Sequence, residues 1–345
     1  MKKKGIALFL VALFINSISV ANMAQPIQDP TSNAIIFNDN SQISLIEETV
    51  TYDVKDIKLN NGHVHVEYIL KNLEYIEKDF DVIFIASSLE SSEVELKQNG
   101  ERIQPIEINE DGQLPQNWNP KPKENIIEPI SKKKLKNIYS GVTQKRDITR
   151  IRFPISFKEN EEIKVEVSYI SVGGFYRRGV INTIYSQQYY LTPAKFWNGD
   201  TKVNLVVNLP EKSDMSLNSN IPMDREKNSY TTTLEEIPEY EWIFSYVSKD
   251  NLLFDTNYRK IHNRYVLGIT LVVILLGVIL HKLINKYVGF IIYLLSVLFL
   301  GKFIHLSYGA TFSTMLIGFL IIPISGIIIL IYVIFEYYER KNKEE

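Results

Sequence analysis

Apolar and polar positions along this chain follow two rhythms. From Val50 to Val247 they alternate in short runs with a period of two, the pattern of strands that bury one face and leave the other in water. From Tyr265 to Phe335 the alternation stops, and three long apolar runs follow one another with short polar breaks between them.

The alternating region predicts antiparallel strands. Val50–Leu59 and His63–Lys71 flank Asn60-Asn61-Gly62, where Asn and Gly accept positive φ. The pair reads as a hairpin with Val64, Val66, Tyr68 and Leu70 toward the core. Asp81–Ala86 is a short apolar strand, and Glu93–Gln98 and Arg102–Ile108 form a second hairpin about Asn99-Gly100. Ile148–Phe157 and Glu161–Ser171, joined by Lys158-Glu159-Asn160, read as a third. Beyond a glycine cluster at Val172–Gly179, strands are predicted at Asn182–Leu191, Thr201–Leu209, Ser229–Leu234 and Glu239–Val247.

The expected fold is a mainly β ectodomain followed by a C-terminal three-helix transmembrane region. The ectodomain is expected to be an antiparallel β-sandwich of two Ig-like units, residues 45–171 and 172–250. A single sandwich with a long insertion is the alternative. Residues 22–44 are polar and aperiodic, a flexible lead-in. Residues 109–129 form an insertion in which Pro115, Pro120, Pro122 and Pro129 deny a ladder its donors. Ser131–Tyr139 is compatible with a short basic helix.

A juxtamembrane segment, 251–264, precedes apolar runs at 265–283, 288–306 and 312–335, each expected to cross a bilayer, and 336–345 is expected as a cytoplasmic tail. The middles of these runs hold no ionisable group, which argues against a transport path. At the start, the lysines of Met1–Lys4, the apolar Gly5–Ile15 and the small residues Ser19-Val20-Ala21 make residues 1–21 an expected secretory signal peptide. The N-terminal domains are then extracytoplasmic and the C-terminus cytoplasmic. His281, Lys282 and Lys286 agree with that orientation, whereas Arg259, Lys260 and Arg264 oppose it.

Charge and composition narrow the function classes. With 38 Lys and Arg against 40 Asp and Glu, the net charge of -2 leaves no basic footprint for nucleic acid. The chain has no cysteine, hence no disulfide and no thiol nucleophile. This composition, with the lysine-led start, fits a bacterial cell-surface protein.

Two groups of residues are candidates for chemistry. His63, His65 and Glu67 share one face of a strand, and imidazole with carboxylate is a donor set for a divalent metal. The opposite face is the core face, so these three are also its solvated counterpart. Phe175, Tyr176, Arg177, Arg178, Tyr189 and Trp197 concentrate rings and guanidinium groups, the composition of a binding surface for a glycan or a protein. Neither G-x-S-x-G nor H-E-x-x-H occurs, and no cofactor is expected.

The resulting expectation is a non-enzymatic, membrane-anchored binding or scaffolding component of a bacterial envelope or membrane complex. Its expected partners are the membrane, a protein or a second copy met through the helices or the ectodomain, and a cell-wall polymer. A glycan or ligand sensor using Tyr185–Trp197 and a metal-dependent extracellular enzyme at His63, His65 and Glu67 are the alternatives.

Overall fold

A computed structural model describes residues 20–28, 35–38, 41–55, 61–87, 93–109, 114–120, 126–135, 148–211, 214–305 and 334. Most of the signal segment, the third apolar run apart from Ile334, and the tail lie outside the described residues. The chain divides into two compact units: Met1–Tyr176 with Thr183–Ser248, and Arg177–Asn182 with Lys249–Glu345.

The first unit is built from strands. In chain order they are β1 (Val20–Ala24), β2 (Pro26–Gln28), β3 (Ile35–Phe37), β4 (Ile43–Asp53), β5 (Asn61–Asn72), β6 (Lys78–Ser87), β7 (Glu95–Gln98), β8 (Glu101–Ile103) and β9 (Glu107–Asn109). There follow β10 (Ile148–Phe157), β11 (Glu162–Val172), β12 (Gly174–Tyr176), β13 (Ile184–Tyr189), β14 (Lys202–Asn208), β15 (Met215–Ser219), β16 (Asp224–Glu226), β17 (Ser229–Leu234) and β18 (Trp242–Ser248). An eight-stranded sheet runs β16-β17-β14-β4-β5-β11-β7-β8, and two four-stranded sheets run β1-β6-β10-β9 and β12-β13-β18-β15.

The expected pair of Ig-like sandwiches is corrected by one pairing. β14 lies parallel to β4, Lys202 opposite Glu47 through Asn208 opposite Asp53, so strands from either side of residue 172 belong to the same sheet. The core is equally continuous. Tyr52 of the large sheet meets Trp242 and Phe244 of one small sheet edge-on at 5.6 and 5.1 Å, and Tyr169 meets Phe84 of the other at 5.5 Å. All belong to a single hydrophobic cluster.

The expected third hairpin is an arch. β10 and β11 have the predicted alternation, but β10 pairs with β6 and β9 whereas β11 pairs with β5 and β7. Period two specifies which side chains turn inward and says nothing about which strand lies alongside. Ile151, Phe153 and Ile155 on one sheet and Ile163, Val165 and Val167 on the other are all buried in the same hydrophobic cluster. The Asn99-Gly100 turn forms as expected, with φ of 51° and 84° at its two residues, but the returning strand ends at Ile103, and Glu107–Asn109 pairs instead with β10 in another sheet.

Two stretches read as loose are structural. In the lead-in, Asn22, Met23 and Ala24 are buried in β1, which pairs with β6, and the expected cleavage position after Ala21 falls within that strand. In the Pro-rich insertion, Trp118 is buried against Tyr190 and Phe37, and the Asn117 amide exchanges two 2.8 Å hydrogen bonds with the Phe37 backbone. Residues 131–135 are not helical; Lys134 bridges back to Ile127.

Among the described residues the second unit carries two long helices, α1 (Arg259–Leu283) and α2 (Lys286–Phe303). The three-helix transmembrane region is therefore not supported. Among the described residues one helix, α1, is long and apolar enough to cross a membrane, and α2 is shorter. At 1.5 Å per residue α2 spans about 27 Å, just under the roughly 30 Å hydrocarbon layer. α1 also begins earlier than its apolar run, where the Arg259 guanidinium donates to the Val180 carbonyl at 2.9 Å and Asn257 and Asn182 bond reciprocally. Gly277 and Gly289 let the helices close up: a Cβ on Gly289 would lie 2.9 Å from the Gly277 carbonyl oxygen and 2.5 Å from the His281 Cβ. The other end is tied by Asn263, whose amide pairs with the His305 backbone at 2.7 and 3.0 Å.

Candidate functional site

β5 and β11 are neighbours near the middle of the eight-stranded sheet, with Glu67 directly opposite Glu166 and His65 directly opposite Ser168. Val64, Val66, Val165 and Val167 take the core face, so these four polar residues share the outer one. Two carboxylates opposite one another repel, and flanking cationic or donor groups relieve this. The Lys164 ammonium lies 2.5 Å from Glu67 Oε1 and 3.3 Å from Glu166 Oε1. On the other flank His65 Nε2 lies 3.1 Å from Glu67 Oε1 and 3.7 Å from Glu166 Oε1. Partial burial works against charge on Glu67, but the Lys164 and His65 contacts outweigh it and hold the carboxyl below its usual range. Lys164 is correspondingly raised, chiefly by its hydrogen bond to Glu67.

The second ring nitrogen, His65 Nδ1, is 2.8 Å from Ser168 Oγ. A serine, an imidazole and a carboxylate are thus in series, as in an acyl-transfer triad. The setting does not complete one. At Ser168 strand β11 is flanked by β5 and by β7, so its backbone is engaged in ladders on both sides and does not offer free N–H groups for an oxyanion hole. What the cluster does offer is one imidazole nitrogen and two carboxylates whose ligand atoms lie within 4.8 Å of one another. His63 is exposed on the same strand and is not part of this group. Glu166 takes its place, and no sequence spacing pointed to it, because β5 and β11 are about a hundred residues apart in the chain.

The aromatic candidates separate. Tyr189 and Trp197 are in the core: Trp197 Nε1 donates to the Met23 carbonyl at 3.2 Å, and the Tyr189 hydroxyl is buried against Glu48. The two offer no exposed ring face: β13, which carries Tyr189, is buried along its whole length, and Trp197, beyond it, is buried as well. Phe175 and Tyr176 are half-buried at β12, and Arg177 and Arg178 are exposed in the second unit.

Glu48 was not recognised from the sequence. A bulge at Ile46 shifts the register of β4 against β5, so Leu45 and Glu48 both face inward, and Ile46 is left 37% exposed. Glu48 is completely buried. Its Oε1 accepts from the Tyr189 hydroxyl at 2.7 Å and its Oε2 from Asn22 Nδ2 at 3.4 Å. Tyr68 donates to Asn22 Oδ1 at 2.9 Å and lies 3.0 Å from the Tyr189 hydroxyl. Burial pushes the Glu48 carboxyl up to about 8, the buried Glu241 adding to the rise and the Tyr189 and Asn22 hydrogen bonds opposing it. Glu241 receives the backbone N–H groups of Leu191 and Thr192 at 2.7 and 3.2 Å.

No family model and no curated protein matches this chain. Among solved structures it is similar to a "putative nutrient binding protein" from Legionella pneumophila, with 12% identity over 67% of this chain and 71% of that chain and a TM-score of 0.43. It is also similar to an M1 zinc metallopeptidase from Deinococcus radiodurans, with 8% identity over 60% of this chain and 42% of that chain and a TM-score of 0.29. The chain spans less than half the length of that metallopeptidase. Neither likeness is high enough to transfer a residue or an activity.

Proposed function

We propose that this protein is a membrane-anchored, non-catalytic binding or scaffolding component of a bacterial cell envelope, with its β unit on the outer side of the cytoplasmic membrane. The observation that carries the reading is the surface of α1. Leu267, Leu271, Val272, Leu275, Leu276 and Ile279 are all exposed along a helix of 25 residues, enough to cross about 30 Å of hydrocarbon. Water would penalise that apolar surface by roughly 25 cal/mol for each Å², whereas lipid does not. The signal-like start favours the outward orientation; His281 and Lys282 at the far end of α1 agree with it, while Arg259, Lys260 and Arg264 at the near end oppose it, so the orientation rests on the signal-like start. The unfinished triad at Ser168 favours a role without covalent chemistry.

Alkaline carbonate washing of membranes tests the anchor, and protease added to intact cells tests the side. The protein is expected to stay in the washed membrane pellet and to lose its β unit to the protease. Release by carbonate, or cleavage only after the cells are opened, refutes the corresponding half of the reading. For the scaffolding role, extraction in mild detergent is expected to recover a defined partner or a homo-oligomer; a monomer without partners counts against it.

A further inference from the structure

The outer face of β5 and β11 carries a cluster that an ordinary surface ion pair does not require. We propose that His65 Nε2, Glu67 and Glu166 form a zinc site, with Lys164 as the ammonium that the metal displaces.

Three features support this. The first is spacing. Tetrahedral zinc holds nitrogen and oxygen at about 2.0 to 2.2 Å, which sets its ligand atoms roughly 3.3 to 3.5 Å apart. The His65 nitrogen already stands 3.1 and 3.7 Å from the nearer oxygens of Glu67 and Glu166, and all three ligand atoms lie within 4.8 Å. Sub-ångström side-chain movements close the set, on two paired strands whose opposite faces are fixed in the core.

The second is charge. Two carboxylates against one ammonium leave a negative charge over, whereas zinc with a neutral imidazole cancels both. Zinc and Lys164 compete for the same Oε1 atoms, since the ammonium contacts both of them. The third is the outer partner of the imidazole. With Nε2 on the metal, Nδ1 carries the proton and donates to Ser168 Oγ, already at 2.8 Å, which fixes both tautomer and ring orientation. Three protein ligands leave the fourth position to water or to a donor from a binding partner. Imidazole in the set selects against magnesium.

The test is zinc binding by the whole protein in detergent after chelator treatment, measured by equilibrium dialysis and calorimetry, with tryptophan fluorescence to verify the fold. Wild type is expected to take up one zinc per chain, undisturbed by excess magnesium. His65→Ala and Glu166→Gln abolish uptake, Ser168→Ala weakens it about 10- to 100-fold, and His63→Ala leaves it unchanged. Lys164→Met tightens it about fivefold, the range of a surface ion pair. A wild-type protein that takes up no zinc overturns the proposal, as does uptake that survives His65→Ala or is lost with His63→Ala.

Discussion

Glu48→Gln is the most informative change the interior offers, because it removes a titration without removing a side chain. The carboxyl titrates near 4.5 in the unfolded chain and near 8 in the fold. Below pH 4.5 both states hold the proton and stability is at its full value. Between 4.5 and 8 the folded protein keeps a proton that the unfolded chain has released, so stability falls as pH rises, by up to about 1.4 kcal/mol per unit. Above 8 both states are ionised, and about 5 kcal/mol has been lost. At pH 7 Glu48 is still mostly protonated in the fold, and the loss stands at about 3 kcal/mol.

The glutamine variant has no such slope. It also sets an amide where Oε2 faced Asn22 Nδ2, which adds a constant offset, so the quantity to compare is the change with pH. Urea unfolding in detergent, followed by tryptophan fluorescence, reads the β unit alone, since Trp118, Trp197 and Trp242 all belong to it. Between pH 5 and 8 wild type is expected to lose roughly 3 to 4 kcal/mol more than the variant. Parallel stability curves would show that Glu48 titrates like an exposed carboxyl, and the account of its environment would fail.

Two other changes extend the same reasoning. Tyr189→Phe removes the hydroxyl that donates to Glu48 and opposes its upward shift, so the decline of stability, which still begins near pH 4.5, is expected to continue to a higher pH before it levels off and to be larger in total; an unmoved upper limit contradicts the role given to that bond. Gly289→Ala places a methyl 2.9 Å from the Gly277 carbonyl oxygen and against His281, and separating the helices is expected to cost about 1 to 3 kcal/mol, read as a lower thermal midpoint of helical circular dichroism in detergent. An unchanged midpoint would mean that the two helices do not rely on that contact.

Strand positions were largely legible in the sequence because alternation is a local signal. β10 and β17 occupy the predicted stretches, and β7 meets β8 through the expected Asn99-Gly100 turn. Partner choice was not legible. An arch and a hairpin present the same alternation, and only the inter-sheet packing of Phe84 on Tyr169 shows that β6 and β11 face one another across the core. The parallel pairing of β4 with β14 joins segments about 150 residues apart, and no turn chemistry announces it. Aromatic residues were misplaced for a related reason: Tyr189 and Trp197 look like a surface in a composition window, yet each has a polar tip whose partner, Glu48 or the Met23 carbonyl, comes from a distant strand.

The bulge at Ile46 shows how one inserted position decides the interior and conceals the decision. Read with a strict period of two, Ile43 and Leu45 face the core and Glu48 falls among the outward residues, beside Ile46 and Ser44. The extra residue inverts the phase, and the same shift that brings Val50 and Tyr52 inward brings Glu48 with them. A carboxylate there would be prohibitive without donors or a proton. The fold supplies both, with Tyr189 and Asn22 as donors and an affinity for the proton that persists to about pH 8. On the opposite face of the adjoining strand, Glu67 remains near water and is held charged by Lys164 and His65. One sheet therefore carries two glutamates with opposite protonation at neutral pH. The phase of each strand determines which is which, and the bulge sets that phase for β4.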